Sequence, residues 1–190
     1  MTDLEPLLAI DPAGWRADEL IAATVAAERV GYVAVVVGDA GDGWPDPIAV
    51  LTAAAPKTTA IRLVPQIDTA GEHPYATCCR LVALDNLSGG RVGWCPTDEN
   101  PLRRAEYVSI ILALWDSWEP DAVVADDGAG SRIGPAKVGR VDIDGDYYSV
   151  HSAGDVGGSP FGHPLLLDED VTAALSCRAE VSDLVRMGSR

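Results

Sequence analysis

Short apolar runs and amphipathic stretches alternate along most of the chain. Leu7 to Ile10 is an apolar run that stops at Asp11-Pro12-Ala13-Gly14, a loop by composition, and it predicts a first strand. Asp18 to Val30 then places Leu20, Ile21, Thr24, Val25 and Ala27 on one helical face, and Gly31 ends the pattern. Val33 to Val37 is apolar and nearly all β-branched, as in a strand buried on both faces, and Gly38-Asp39 closes it. Asp46-Pro47 opens a helix over Ile48 to Ala55, because the carboxylate can accept a free first-turn amide and proline has no amide to leave unpaired. Ile61 to Val64 reads as a third strand and Tyr75 to Leu87 as a third helix. Ser88-Gly89-Gly90 turns the chain into a fourth strand at Val92-Gly93-Trp94.

Asn100-Pro101 repeats the cap signal, and Val108, Ile111, Leu112, Trp115 and Trp118 behind it form one helical stripe that reads as core or interface. Gly, Asp, Ser and Pro become frequent between Glu119 and Pro160. Within that stretch Val141, Ile143, Tyr147 and Val150 flank Asp144-Gly145, which predicts a β-hairpin. Leu165 to Leu167 follows as a fifth strand and Val171 to Val185 as a last helix. Strands that alternate with helices predict an α/β fold with a parallel sheet of about five strands. Residues 1–190 read as one domain, with residues 119–160 inserted between the fourth helix and the fifth strand.

Composition narrows the chemistry. With 190 residues, 47% hydrophobic and 23% charged, the chain can bury a core of its own. Its 14 basic and 29 acidic side chains give a formal charge of -15, which opposes nucleic acid and anionic membrane surfaces as partners. No apolar run approaches the roughly 20 residues of a membrane span, and Met1-Thr2-Asp3-Leu4-Glu5 lacks a signal-peptide pattern, so a cytoplasmic location is expected. The four cysteines, Cys78, Cys79, Cys95 and Cys177, contain no CxxC pair and read as reduced structural thiols. No metal is expected: Asp39, Asp42 and Asp46 read as solvated caps among glycines, and the run Asp142 to Asp146 has its glycine too early for a calcium loop and Ala153 at the twelfth position. Gly128-Ala129-Gly130 lacks the third glycine of a dinucleotide fingerprint, and no Ser/His/Asp order argues for a hydrolase.

Glu72-His73-Pro74-Tyr75 and the stretch Arg80-Leu81-Val82-Ala83-Leu84-Asp85-Asn86-Leu87-Ser88-Gly89-Gly90-Arg91-Val92-Gly93-Trp94 resemble a block of the luciferase-like flavin-dependent monooxygenases, in the nitrilotriacetate and dibenzothiophene-sulfone branch. Asp46-Pro47, Ala113 to Trp118, Pro135 to Val138 and Tyr147 to Val150 extend it to about residue 165. The resemblance implies a TIM-type (βα) barrel that is incomplete here, truncated after about five units and without the late phosphate-binding loops. It also implies FMN, reduced by a separate flavin reductase, used to oxidise a small organic substrate. Flavin contacts are implied at Asp39, Thr69 and Thr97, near the ends of the second, third and fourth strands. His73 is the candidate general base, against the plainer role of a hydrogen-bonding residue at a helix start. The sequence departs from the family after the tryptophan, where Cys95-Pro96-Thr97-Asp98 stands for an Asn followed by Val-Val-Thr. The contrasting reading is a non-catalytic family remnant, homodimeric or bound to a full-length member, because a five-strand array leaves two sheet edges unpaired.

Overall fold

The computed structural model describes residues 6–39, 41, 45–119, 122, 134–152 and 158–167. The elements are β1 (Leu7–Ile10), α1 (Ala17–Arg29), β2 (Ala34–Val37), α2 (Pro47–Ala54), β3 (Arg62–Asp68), α3 (Pro74–Ser88), β4 (Gly93–Thr97), α4 (Pro101–Trp115), β5 (Val141–Asp144), β6 (Ser149–Ser152) and β7 (Leu165–Leu166). Five strands form one sheet in the order β1-β2-β3-β4-β7, and every pairing in it is parallel. The strands β5 and β6 form a separate antiparallel hairpin between α4 and β7. Among the described residues the sheet stays open, with β1 paired to β2 alone and β7 to β4 alone.

Both faces of the sheet are buried, which explains the continuous apolar runs. Leu8, Ile10, Val35, Val37, Leu63 and Trp94 meet the helices, packing with Leu20, Leu51, Leu81, Tyr107 and Ile111 in the main core. Ala9, Val36, Val64, Cys95 and Leu167 alternate with them and make a second, smaller cluster. The caps take the form their residue types favour. Asp46 Oδ1 accepts from the Ala49 amide at 2.7 Å, and Asn100 Oδ1 accepts from the Leu102 and Arg103 amides at 3.0 and 3.3 Å, each with proline in the first turn. Gly89, at φ 71°, ends α3 in the left-handed conformation that glycine adopts without strain.

The amino ends of the strands are tied by one carboxylate and one guanidinium. Glu28 accepts from the amides of Thr59, Ala60 and Ile61 at 2.9, 2.6 and 2.9 Å. Burial opposes its ionisation, but these amides and Arg91 outweigh that and hold it below the usual carboxylate range. Arg91 in turn donates to the carbonyls of Ala55 and Ile61, both at 2.9 Å.

Three elements differ from the sequence expectation. The strand expected to stop at Val64 continues through Pro65 to Asp68, and the one expected to stop at Trp94 continues through Pro96 to Thr97. The β2–β3 ladder has its last pair at Val37 and Pro65, and beyond it β3 is held by β4 through Gln66 with Cys95, Ile67 with Pro96 and Asp68 with Thr97. Each proline falls where pairing on one side of its strand is broken: Pro65 between the Leu63–Val92 bridge and the Gln66–Cys95 pair, Pro96 past the last β4–β7 pair at Trp94 and Leu166. The buried face of α4 is also rotated from the expected stripe: it consists of Tyr107, Ile110, Ile111, Leu114 and Trp115, while Val108 and Leu112 are only half-buried. Apolar residues lie on both sides of this helix, so periodicity alone does not choose between them. Trp118 is buried beyond the helix end. The helix expected at Val171 to Val185 lies outside the described residues, as do Asp42, Gly128-Ala129-Gly130 and Cys177. None of the described helices is long and apolar enough to cross a membrane.

Candidate functional site

Parallel strands deliver their carboxyl ends to one side of the sheet, and the backbone beyond those ends is free to turn and present side chains. Two adjoining clefts lie there, of about 540 and 620 Å³, sharing Asp39, Gly41, Gln66 and Asp68. Asp46, Glu72 and Arg80 bound the first, and Thr97, Asp98, Glu99 and Arg103 bound the second. Gly38 lets the end of β2 close on its neighbours, since a Cβ there would come within 3.2 Å of Gln66 Oε1 and of Pro12 Cδ.

Asp98 joins the ends of β3, β4 and α4. Its carboxylate, whose side chain is fully inaccessible, accepts Arg103 Nε and Nη2 at 2.7 Å each, the Asn100 amide at 2.7 Å and the Thr69 hydroxyl. The Arg103 guanidinium first of all, with Thr69 and the Asn100 amide, outweighs burial and holds this carboxyl far below the usual range. Arg103 is therefore committed within the protein. Arg80 is committed likewise, to Asp46 and, at 2.8 Å, to Glu72.

The hairpin reaches back over this end of the sheet. Glu106, on α4, accepts the consecutive amides of Asp146, Tyr147 and Tyr148 at 2.9, 2.9 and 2.7 Å. Such a run of amides forms a concave anion seat, here filled by the protein's own carboxylate. Tyr148 donates to the Thr69 carbonyl at 2.6 Å, and Asn100 Nδ2 donates to the Tyr147 hydroxyl at 3.1 Å. Burial raises the Tyr148 phenol above its ordinary range.

The residues expected at the site fall into two groups. Asp39 is exposed at the end of β2 and lines both clefts, with Oδ1 accepting from the Gly41 amide at 2.9 Å. Thr97 lines the second cleft and donates to the Ile67 carbonyl at 3.3 Å. Thr69 is fully buried, its hydroxyl taken by Asp98 and its carbonyl by Tyr148, so it braces the wall without facing the cleft. His73 caps α3: Nδ1 accepts from the Tyr75 amide at 3.3 Å, which leaves the proton on Nε2 to donate to the Ser149 carbonyl, also at 3.3 Å. Both of its nitrogens are thus engaged inside the protein. Gln66, Asp68, Asp98, Arg103, Glu106 and Tyr148 are the site-building residues that sequence reasoning missed. For Asp98 and Arg103 a local signal exists, an acid just past a strand with an arginine in the first turn of the next helix. Among the described residues no group of three or more His, Cys, Asp or Glu side chains could hold a metal ion.

Comparison with known proteins fits this arrangement. Residues 7–95, from β1 into β4, match the model of the luciferase-like monooxygenases. Residues 7–95 belong to that family. Dibenzothiophene-sulfone monooxygenase of Rhodococcus erythropolis is 31% identical over 141 residues, which are 64% of this chain and 31% of the relative. A subunit of pristinamycin IIA synthase from Streptomyces pristinaespiralis is 32% identical over 148 residues, covering 74% of this chain and 53% of the relative. The chain thus spans from about a third to about a half of the length of such relatives. Among solved structures, a riboflavin lyase determined with modified FMN and riboflavin superposes with a TM-score of 0.69 at 27% identity, over 80% of this chain and 43% of that one. Among the described residues, the open five-stranded sheet is similar to part of the luciferase-like barrel fold.

Proposed function

We propose that the cleft at the carboxyl ends of β2, β3 and β4 holds the ring end of a flavin and serves the oxidation of a small organic substrate. The observation that carries this reading is the cleft itself: Asp39, Gln66, Asp68 and Thr97 line it at the strand ends of a sheet that belongs to a flavin-using family. A volume of about 620 Å³ accommodates a planar three-ring system, and these four side chains offer donors and acceptors to the polar edge of one. The phosphate of FMN fits less well. Arg80 and Arg103 are already paired, and the clefts are otherwise rimmed by carboxylates. The described residues therefore suit a flavin ring and leave the phosphate to be held elsewhere.

When bound, reduced flavin supplies the electrons that activate molecular oxygen. The protein's own part is positional. Asp98 and Arg103 fix the loop after β4, and Glu106 and Tyr148 fix the hairpin beside it, so that the cleft is preformed. A flavin reductase is the partner this chemistry asks for, and a second copy or a longer family member is the partner suited to cover the edges at β1 and β7. Titration with FMN under oxidised and anaerobic reduced conditions tests the reading. Binding at micromolar or tighter Kd, about -8 kcal/mol or better, is expected, weakened in Gln66→Ala and Asp68→Ala; saturating FMN without any change in flavin fluorescence or protein melting contradicts it.

A further inference from the structure

Tyr107 is buried without any exposed surface, yet its phenolic proton has a directed way out. Its hydroxyl donates to Thr77 Oγ1 at 2.5 Å, and the Thr77 hydroxyl donates to Glu72 Oε2 at 2.8 Å. Glu72 lines the first cleft, and the same Oε2 also accepts from Arg80 Nη1 at 2.8 Å. The ring of Tyr107 lies 6.3 Å from that of Trp94 and 5.4 Å from that of Tyr148, centre to centre. Aromatic packing explains the ring contacts alone. It does not explain how differently the three polar atoms are served. Trp94 Nε1 is buried and has no acceptor among the described residues. The Tyr148 hydroxyl points to a backbone carbonyl, a very weak base. Only Tyr107 is linked, through one hydroxyl, to a carboxylate.

We propose that Trp94, Tyr107 and Tyr148 form a path for one-electron oxidation, with Tyr107 as the buried residue where the oxidising equivalent comes to rest. A one-electron oxidant, such as an inorganic radical or an oxygen-derived radical formed at the cleft, takes an electron from Trp94 or Tyr148 and is itself reduced by one electron. Neither residue can then pass its proton to a base, so neither traps the vacancy. An electron from Tyr107 refills it. The Tyr107 O–H bond breaks as its proton passes to Thr77 Oγ1, while the Thr77 proton passes to Glu72 Oε2. Thr77 ends unchanged, Glu72 ends as the neutral acid with its Oε2 released from Arg80, Arg80 keeps its pairing with Asp46, and Tyr107 ends as a neutral radical. A chain of polarised hydrogen bonds favours such a concerted shift. This proposal stands apart from the flavin reading, since any one-electron oxidant can start it.

Pulse radiolysis with azide radicals tests it on the intact protein, following tryptophan and tyrosine radicals by their absorption and by electron paramagnetic resonance. In the wild type the tryptophan signal decays into a tyrosyl signal. Tyr107→Phe is expected to cut the tyrosyl yield severalfold and to prolong the tryptophan radical, and Glu72→Gln to slow the growth of the tyrosyl signal severalfold. Tyr75→Phe, outside the path, behaves as wild type. Should Tyr107→Phe lose its fold, Thr77→Val removes the relay hydroxyl at nearly constant shape and carries the same expectation as Glu72→Gln. Tyrosyl yield unchanged in Tyr107→Phe, or growth unchanged in Glu72→Gln and Thr77→Val, overturns the proposal.

Discussion

Arg103 places two parallel hydrogen bonds of 2.7 Å on the inaccessible carboxylate of Asp98, and so welds the first turn of α4 to the end of β4. The two-pronged geometry makes this pair stronger than a surface ion pair. Removing its acid strands a guanidinium. Asp98→Ala is expected to lower stability measurably, because it removes both bonds from Arg103 together with those from the Thr69 hydroxyl and the Asn100 amide. Denaturant unfolding measures this; a cost within experimental error of zero contradicts it.

The same carboxyl sets a pH signature. Its folded-state pKa lies below the unfolded value, so its stabilising contribution is complete above about pH 4, where unfolded aspartate is ionised, and is lost as pH falls towards the folded value. The stability gap between wild type and Asp98→Asn should be flat near neutrality and shrink below that point. A gap that widens on acidification has the wrong sign for this account.

Glu106 and Gly145 fix the hairpin tip together. A Cβ at position 145 would overlap the Glu106 carboxylate, which would have to shift off its seat on the hairpin amides. Glu106→Gln and Gly145→Ala should both speed hydrogen exchange at the amides of Asp146, Tyr147 and Tyr148, about tenfold or more if each hydrogen bond to a charged acceptor contributes about 1.5 kcal/mol. Exchange that stays as slow as in wild type would show that the hairpin is held by Val141 and Val150 in the core instead.

At the opposite end of the sheet, Glu28→Ala frees three amides and Arg91→Lys removes the fork that reaches two carbonyls. Each should lower stability by about 2 kcal/mol, or roughly 4–8 °C in Tm for a domain of this size. Neither should alter flavin affinity, because both lie at the amino ends of the strands.

The order of elements was legible in the sequence because apolar runs, caps and glycines agree at each step: Asp46, Asn100 and Gly89 do what their residue types favour. The strand ends were misjudged where they matter most. The strands expected to stop at Val64 and Trp94 run through Pro65 and Pro96 to Asp68 and Thr97, and so carry Gln66, Asp68 and Asp98 into the cleft. Of the residues the resemblance implied, Asp39 and Thr97 line the cleft, while the Thr69 hydroxyl is taken by Asp98. Contacts between residues some forty positions apart, such as Glu106 with Tyr148, leave no local pattern to find.

The central claim is that this sheet end receives a flavin by its ring. Equilibrium titration of the protein with FMN and with riboflavin, side by side, tests it most directly. The account predicts micromolar binding of both, with affinities within about a factor of ten, or 1.4 kcal/mol, because the arginines that bound the clefts, Arg80 and Arg103, are already paired with carboxylates. Binding of neither contradicts it. Tight binding of FMN with none of riboflavin would equally contradict it, since the phosphate would then be the part the protein recognises.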